Sequence, residues 1–195
     1  MSVDGLRERK RERARSELVS VGMRLFAERG FDATTVDEIA EAADVSRRTL
    51  FRYFGGKGDI VMEWARGTTT LLRDSLRARP LDEPPFASLQ AAFTALCQNF
   101  AGNPSEIYAV TVMIERTPSL RAHNLLKHAQ WEDALAEVLR ERSPSMDDVR
   151  STLLARIAVA AFRTLLDEWI NTQGRALPFD NLNRVFDLIR NDLTS

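Results

Sequence analysis

TVDEIAEAADVSRRTLFRYFGGK, residues 35–57, reads as two short helices separated by a tight turn. Thr35 stands as an N-cap, and Glu38 three residues later completes a capping box. Val36, Ile39, Ala40 and Ala43 recur at i, i+3, i+4 and i+7, the apolar stripe of a short helix. Asp44-Val45-Ser46 breaks that pattern. Ser46 is placed to cap a second helix, RRTLFRYF, whose Leu50 and Phe54 share one face. Arg47, Arg48, Thr49, Arg52 and Tyr53 occupy the other face. Two short helices joined by a three-residue turn, the second rich in Arg, Thr and Tyr, form a helix-turn-helix whose second helix fits a DNA major groove.

Extended outward, the stretch becomes LFAERGFDATTVDEIAEAADVSRRTLFRYFGGKGDIV, Leu25 to Val61, which resembles the TetR family of transcriptional regulators. It departs from the family pattern at Asp44, where the turn usually has Gly, and at Phe51, where Tyr is usual. Gly55 and Gly56 replace Pro-Ser, and Gly58 replaces Glu. The resemblance implies a head over residues 1–58 that binds DNA and a helical body over residues 59–195 that binds ligand and dimerises.

Within the head, Arg47 and Arg48 open the second short helix and are the candidates for base edges, since Arg reads guanine bidentately. Thr35, Ser46, Thr49, Tyr53 and Lys57 are candidates for positioning phosphates. Arg52 is a candidate for either role or for a solvated surface. Six basic residues from Arg7 to Arg15 make an N-terminal arm that tracks phosphates, enters a minor groove, or is a solvated helix end. Gly55, Gly56 and Gly58 predict a soft start to the helix that follows.

Composition bounds the rest. The 195 residues carry a net charge of −1, with 44% hydrophobic and 28% charged residues, ordinary values for a soluble domain. Residues 1–58 hold 12 Lys and Arg against 10 Asp and Glu, so charge argues for DNA only through the arm and the second short helix. The charged N-terminus is unlike a signal peptide. The uncharged run 84–105 holds prolines and amides unsuited to a membrane span. A single cysteine, Cys97, excludes an internal disulfide and fits a reducing cytoplasm, and the resemblance implies a bacterial one with the protein at the nucleoid.

Helical patterns continue from about Lys57 to Arg79, Phe86 to Ala101, Ser105 to Arg116, Pro118 to Arg142, Met146 to Thr172 and Pro178 to Asp192, with breaks at Pro, Gly and Asn. The reading is an all-α protein of about nine helices. IYAVTVMI, from Ile107, is the one run that also suits a strand. The fourth helix is expected to be the sole connection from head to body. Residues 153–170 are too apolar for one buried face, and Leu182, Val185, Phe186, Ile189 and Leu193 form a stripe, so both helices are candidates for a homodimer interface, with Leu165 and Trp169 on the first. The resemblance points the same way, to a four-helix interface built from the last two helices.

The body is rich in large apolar residues, and if it holds the cavity that the resemblance implies, Trp64, Phe93, Phe100, Tyr108, Met113, Trp131, Phe162 and Leu166 are the candidates to line it. His123, Gln130, Asn99 and Arg163 are its candidate polar groups. The expected partners are a double-stranded DNA operator and a small apolar or amphipathic effector, with no membrane and no cofactor. The implied activity is that of a repressor released by its effector; a regulator without a ligand, or an activator, stays open. No catalytic or metal-binding set is expected. His123 and His128 are five residues apart and do not share a helix face, and Cys97 lies in an apolar run.

Overall fold

The computed structural model describes residues 3–175 and 178–194, with side chains over 8–64, 66–175 and 181–191. Among these residues there are nine helices and no strand. They are α1 (Val3–Arg29), α2 (Val36–Ala42), α3 (Arg47–Tyr53), α4 (Lys57–Arg77), α5 (Pro85–Phe100), α6 (Pro104–Arg116), α7 (Pro118–Arg142), α8 (Asp148–Asn171) and α9 (Pro178–Thr194). The strand-like IYAVTVMI is helical, inside α6.

Two compact units emerge. The first is Met1–Arg66 with Met113–Arg121; the second is Gly67–Val112 with Ala122–Ser195. The expectation of one connecting helix is corrected here: α4, α6 and α7 each run from one unit into the other.

In the first unit, Leu18, Val21, Leu25 and Phe26 of α1 are buried with Ile39, Leu50, Phe54, Ile60 and Val61. Gly22 belongs to the same stripe for a steric reason. A Cβ there would lie 2.8 Å from Ile60 Cγ2, so glycine lets α1 and α4 approach closely. Gly30 ends α1 at φ +87°, and its N–H donates to the Phe26 carbonyl. Phe31 then turns back onto Phe26, ring centroids 5.1 Å apart.

The second unit is centred on Phe93, Leu96, Leu135, Leu139, Val159, Phe162, Leu165 and Phe186. The residues expected at an interface are largely covered within one protomer. Leu165, Trp169, Leu182 and Phe186 are at most 2% exposed within one protomer, and Val185 and Ile189 pack partly buried against the core. The stripe on α9 is covered by the chain's own α5 and α8, and α8 buries Ala155, Ala158, Val159, Ala161, Phe162 and Leu165 while leaving Leu153, Ala160 and Thr164 exposed. Leu193 lies outside the described side chains. The large apolar side chains that α8 and α9 leave exposed are others: Val149, Leu153 and Leu188.

The C-terminal end of α4 is fastened by Arg142. Its guanidinium donates to the carbonyls of Leu76, Arg79 and Pro80, the first two within 2.9 Å, and so satisfies acceptors that a helix end leaves open. Beside it, Arg79 pairs bidentately with Glu83, which also accepts from Ser88 Oγ at 2.7 Å. Arg79 first, and Ser88 next, hold the Glu83 carboxyl down at about 2, against an ordinary 4.5. A carboxyl depressed on folding contributes stability above its unfolded value and loses it as pH falls towards its folded value. Wild type should therefore show an extra fall in Tm between pH 4.5 and about pH 2 relative to Glu83→Gln. Thermal melts of both proteins across that range check it, and parallel curves would show that the Arg79–Glu83–Ser88 set contributes nothing.

Candidate nucleic-acid interface

The helix-turn-helix is held by its own caps. Thr35 Oγ1 accepts the Glu38 N–H at 3.2 Å, and the Glu38 carboxylate accepts the Thr35 N–H and hydroxyl, each at 2.8 Å. The Thr35 backbone N–H, then its hydroxyl, keep the Glu38 carboxyl below its ordinary value. Ser46 Oγ accepts the Thr49 N–H at 3.1 Å and shares a hydrogen bond with the Thr49 hydroxyl. Between the helices, Asp44 sits at φ +52°, a left-handed conformation that explains why glycine suits this turn and why Asp, among the residues that tolerate it, can stand in.

These caps aim α3. Leu50 and Phe54 are buried, while Arg47, Arg48, Phe51 and Arg52 are exposed, with Thr49 and Tyr53 half-buried beside them. Three guanidinium groups thus stand on the outer face. Arg47 pairs with Asp37 of α2, Nη1 lying 2.8 and 3.1 Å from its two carboxylate oxygens, and rests over the Phe51 ring. Both partners are surface groups, and an exposed ion pair is worth about 0–1 kcal/mol, so a phosphate or guanine can displace it. Arg52 lies over the Tyr53 ring, 5.1 Å from its centroid. Arg48 has no side-chain partner among the described residues and extends into solvent.

The arm is a continuation of α1. Arg9, Lys10, Arg11 and Arg13 are exposed on it. Arg15 is instead built into the unit: its Nη2 donates to Glu63 at 2.6 Å and its guanidinium lies over Phe54. The side chain of Arg7 is outside the described residues.

Lys57 does something the sequence reading did not anticipate. Its Nζ donates to the carbonyls of Phe31, Asp32 and Thr34 at 2.6, 3.3 and 3.1 Å and sits 4.4 Å from the Phe31 ring centroid. An ammonium has three protons, and all three are used. The first residue of α4 is bolted to the turn that leads into α2. The expected soft start is likewise braced. Gly55, Gly56 and Gly58 have ordinary φ, and the Asp59 carboxylate accepts the Gly55 N–H at 2.7 Å.

In the second unit, three expected ligand-lining residues meet. Phe93 stacks on Phe162 at 5.1 Å, and Trp131 packs edge-on to both at 6.2 and 5.8 Å. Phe100 and Leu166 pack against the same core, and Tyr108 stands edge-on to Trp169 at 5.2 Å. Trp64 and Met113 belong to the first unit. A cavity of about 630 Å³ is lined by Thr69, Arg73, Gln130, Asp133, Glu137 and Arg140, among others, and by none of the eight apolar candidates. Of the expected polar groups, His123, Gln130, Asn99 and Arg163 are all exposed. A buried polar group that the reading missed is His128, at 4% exposure, with Asn124 buried one turn before it. Its signal was its place in the inward stripe of α7 with Trp131, Leu135 and Val138. Cys97 is buried, and burial pushes its thiol up to about 12, so it is not a thiolate at neutral pH. No group of His, Cys, Asp or Glu that could hold a metal is found among the described residues.

Comparison with known proteins adds family, sequence and structural matches. Residues 18–63 match the family described as bacterial regulatory proteins, tetR family, and residues 83–194 match the family described as the MftR C-terminal domain. The chain is 31% identical over 173 residues to the HTH-type transcriptional regulator TcmR of Streptomyces glaucescens, covering 85% of this chain and 76% of that one. It is 26% identical to a mycofactocin biosynthesis regulator, MftR, of Mycobacterium tuberculosis, assigned there as putative, over 93% of this chain and 91% of that one. Its fold is that of Thermus thermophilus FadR, a transcriptional repressor solved with lauroyl-CoA, with TM-score 0.61 and 24% identity over 89% and 92% of the two chains.

Lys57→Met removes three charge-assisted bonds and should lower stability by about 2 kcal/mol. If Lys57 is a bolt, operator affinity falls for every sequence while its log–log salt slope stays at the wild-type value. A phosphate contact would instead reduce the slope by about one. Thermal melts and a salt titration of operator binding distinguish the two.

Proposed function

The chain belongs to the TetR family of bacterial transcriptional regulators, and from that premise we propose that it is a homodimeric repressor that binds a palindromic operator and is released by a small apolar or amphipathic effector. The observation that carries the DNA half is the outer face of α3, where Arg47, Arg48 and Arg52 project from a helix capped at Ser46 and anchored by Leu50 and Phe54. Arg48 is the leading base reader, because nothing holds it back from a guanine edge. Arg47 reads a base or phosphate after leaving Asp37. Thr35, Ser46, Thr49 and Tyr53 lie at the edges of this face and position the backbone. Such a protein works in the bacterial cytoplasm, at the nucleoid.

The effector half rests on family and fold. FadR of Thermus thermophilus, which shares the fold, was solved with lauroyl-CoA, and the aromatic core of the second unit here is the corresponding kind of apolar surround. The body carries the effector, residues 59–195 containing it, and α4, α6 and α7 carry the response, since each runs through both units. An effector releases the operator only if it binds the competent and incompetent states of the dimer with different affinity.

The homodimer forms through the outer face of α8 and α9. Leu153, Ala160 and Thr164 recur at i, i+7 and i+11 on the exposed side of α8, and Leu188 is exposed on α9. Arg184 of α9 pairs with Glu168 of α8 at 3.3 Å. Leu188 lies one turn beyond Arg184 and Thr164 one turn before Glu168, which makes one ridge across both helices. Small residues at Ala160 and Thr164 allow close approach by a second copy.

Two outcomes test this reading. Genomic fragments selected by the purified protein should share one palindrome, bound with a steep salt dependence, and Arg48→Ala should relax one base position per half-site at a loss of about 1–3 kcal/mol. Absence of a common sequence would overturn the operator reading. Separately, sedimentation of wild type should give a dimer at micromolar concentration, and Ala160→Glu or Leu188→Glu should give a folded monomer, since both positions are exposed in the protomer. A monomeric wild type would contradict the interface.

A further inference from the structure

His128 has both ring nitrogens buried without a hydrogen-bond partner, and Trp131 Nε1, three residues along the same face of α7, is in the same condition. The two rings are in contact, centroids 5.1 Å apart, and Trp131 packs on Phe93 and Phe162. Buried polar atoms are nearly always partnered, because desolvation without a bond is costly. Here three such atoms lie in one aromatic cluster. The closed packing is therefore penalised, and a ligand that partners these atoms relieves the penalty.

We infer that His128 and Trp131 form the polar handle of an effector site walled by Phe93 and Phe162, and that its ligand is an uncharged ring compound bearing a phenolic hydroxyl. The inference deepens, and rests on, the effector-released reading above. One hydroxyl partners two of the three atoms. A neutral imidazole offers one N–H and one acceptor nitrogen, and an indole offers only N–H. A phenol donates to the imidazole nitrogen and accepts from Trp131 Nε1, while its ring stacks on the phenylalanines. Burial first, then the charges of Lys127 and Arg163, push the imidazole down to about 3, so the handle is neutral at any physiological pH. Both cations are close enough to bear on the imidazole, but the buried donors themselves, the imidazole N–H and Trp131 Nε1, are neutral, so a carboxylate beside His128 would exchange its hydration for neutral hydrogen bonds.

The test titrates the full-length protein with 2-naphthol, naphthalene and 2-naphthoate, read by tryptophan fluorescence and calorimetry, in wild type, His128→Leu and His128→Asn. Wild type should bind 2-naphthol about tenfold tighter than naphthalene, with 2-naphthoate weakest. His128→Leu should bring the first two together and raise Tm, since it removes an unpartnered polar group. His128→Asn should keep part of the preference. The site is overturned if 2-naphthoate binds tightest, if no probe binds, if His128→Leu keeps the phenol preference, or if it lowers Tm. Operator release is measured in parallel. Binding of 2-naphthol without release would remove the effector-released reading and leave the site standing. A screened effector releasing wild type and His128→Leu alike would remove the site and leave that reading.

Discussion

Three hydrogen bonds from one ammonium fix the relation between the helix-turn-helix and the helix that follows it. Lys57 Nζ holds the carbonyls of Phe31, Asp32 and Thr34, and those residues are the turn from which Thr35 caps α2. The bond pattern converts a glycine-flanked helix start into a rigid joint. Asp59 reinforces it by accepting the Gly55 N–H. Since α4 begins at Lys57, any displacement of its first turn is carried into α2 and α3. At the other end, Arg142 closes the carbonyls of Leu76, Arg79 and Pro80. The first residue of α4 thus ties the helix to the turn before α2, and a cation from α7 closes its C-terminal end.

The head was legible because its signals are local. A capping box, a second Ser cap and an i, i+3, i+4 stripe each act within four residues, and the structure has all three where the sequence put them. Asp44 was read as a departure, and its left-handed φ shows the constraint it meets. Helix ends in the body were legible for the same reason, through Pro85, Pro104, Pro118 and Gly174.

What failed to show was which neighbour covers an apolar face. The stripe Leu182, Val185, Phe186 and Ile189 is a correct stripe, yet periodicity does not say whether α5 of the same chain or a second subunit lies against it. Lys57 was read as a candidate to position phosphate, and its bonds to three backbone carbonyls show only once the turn is folded. His128 was set aside because its spacing to His123 ruled out a shared face. The informative relation was to Trp131 and Leu135, and burial without partners is visible only once the helices are packed.

The central claim is that Lys57 makes α2, α3 and the first turn of α4 one mechanical unit, presented to DNA as a whole. Native-state amide hydrogen exchange of Ile39, Leu50 and Ile60, in wild type and Lys57→Met, tests it most directly. The account predicts a single opening free energy for the three amides in wild type, and in Lys57→Met a separate, easier opening of Ile60. Independent exchange of Ile60 in wild type, or an unchanged pattern in Lys57→Met, would contradict it.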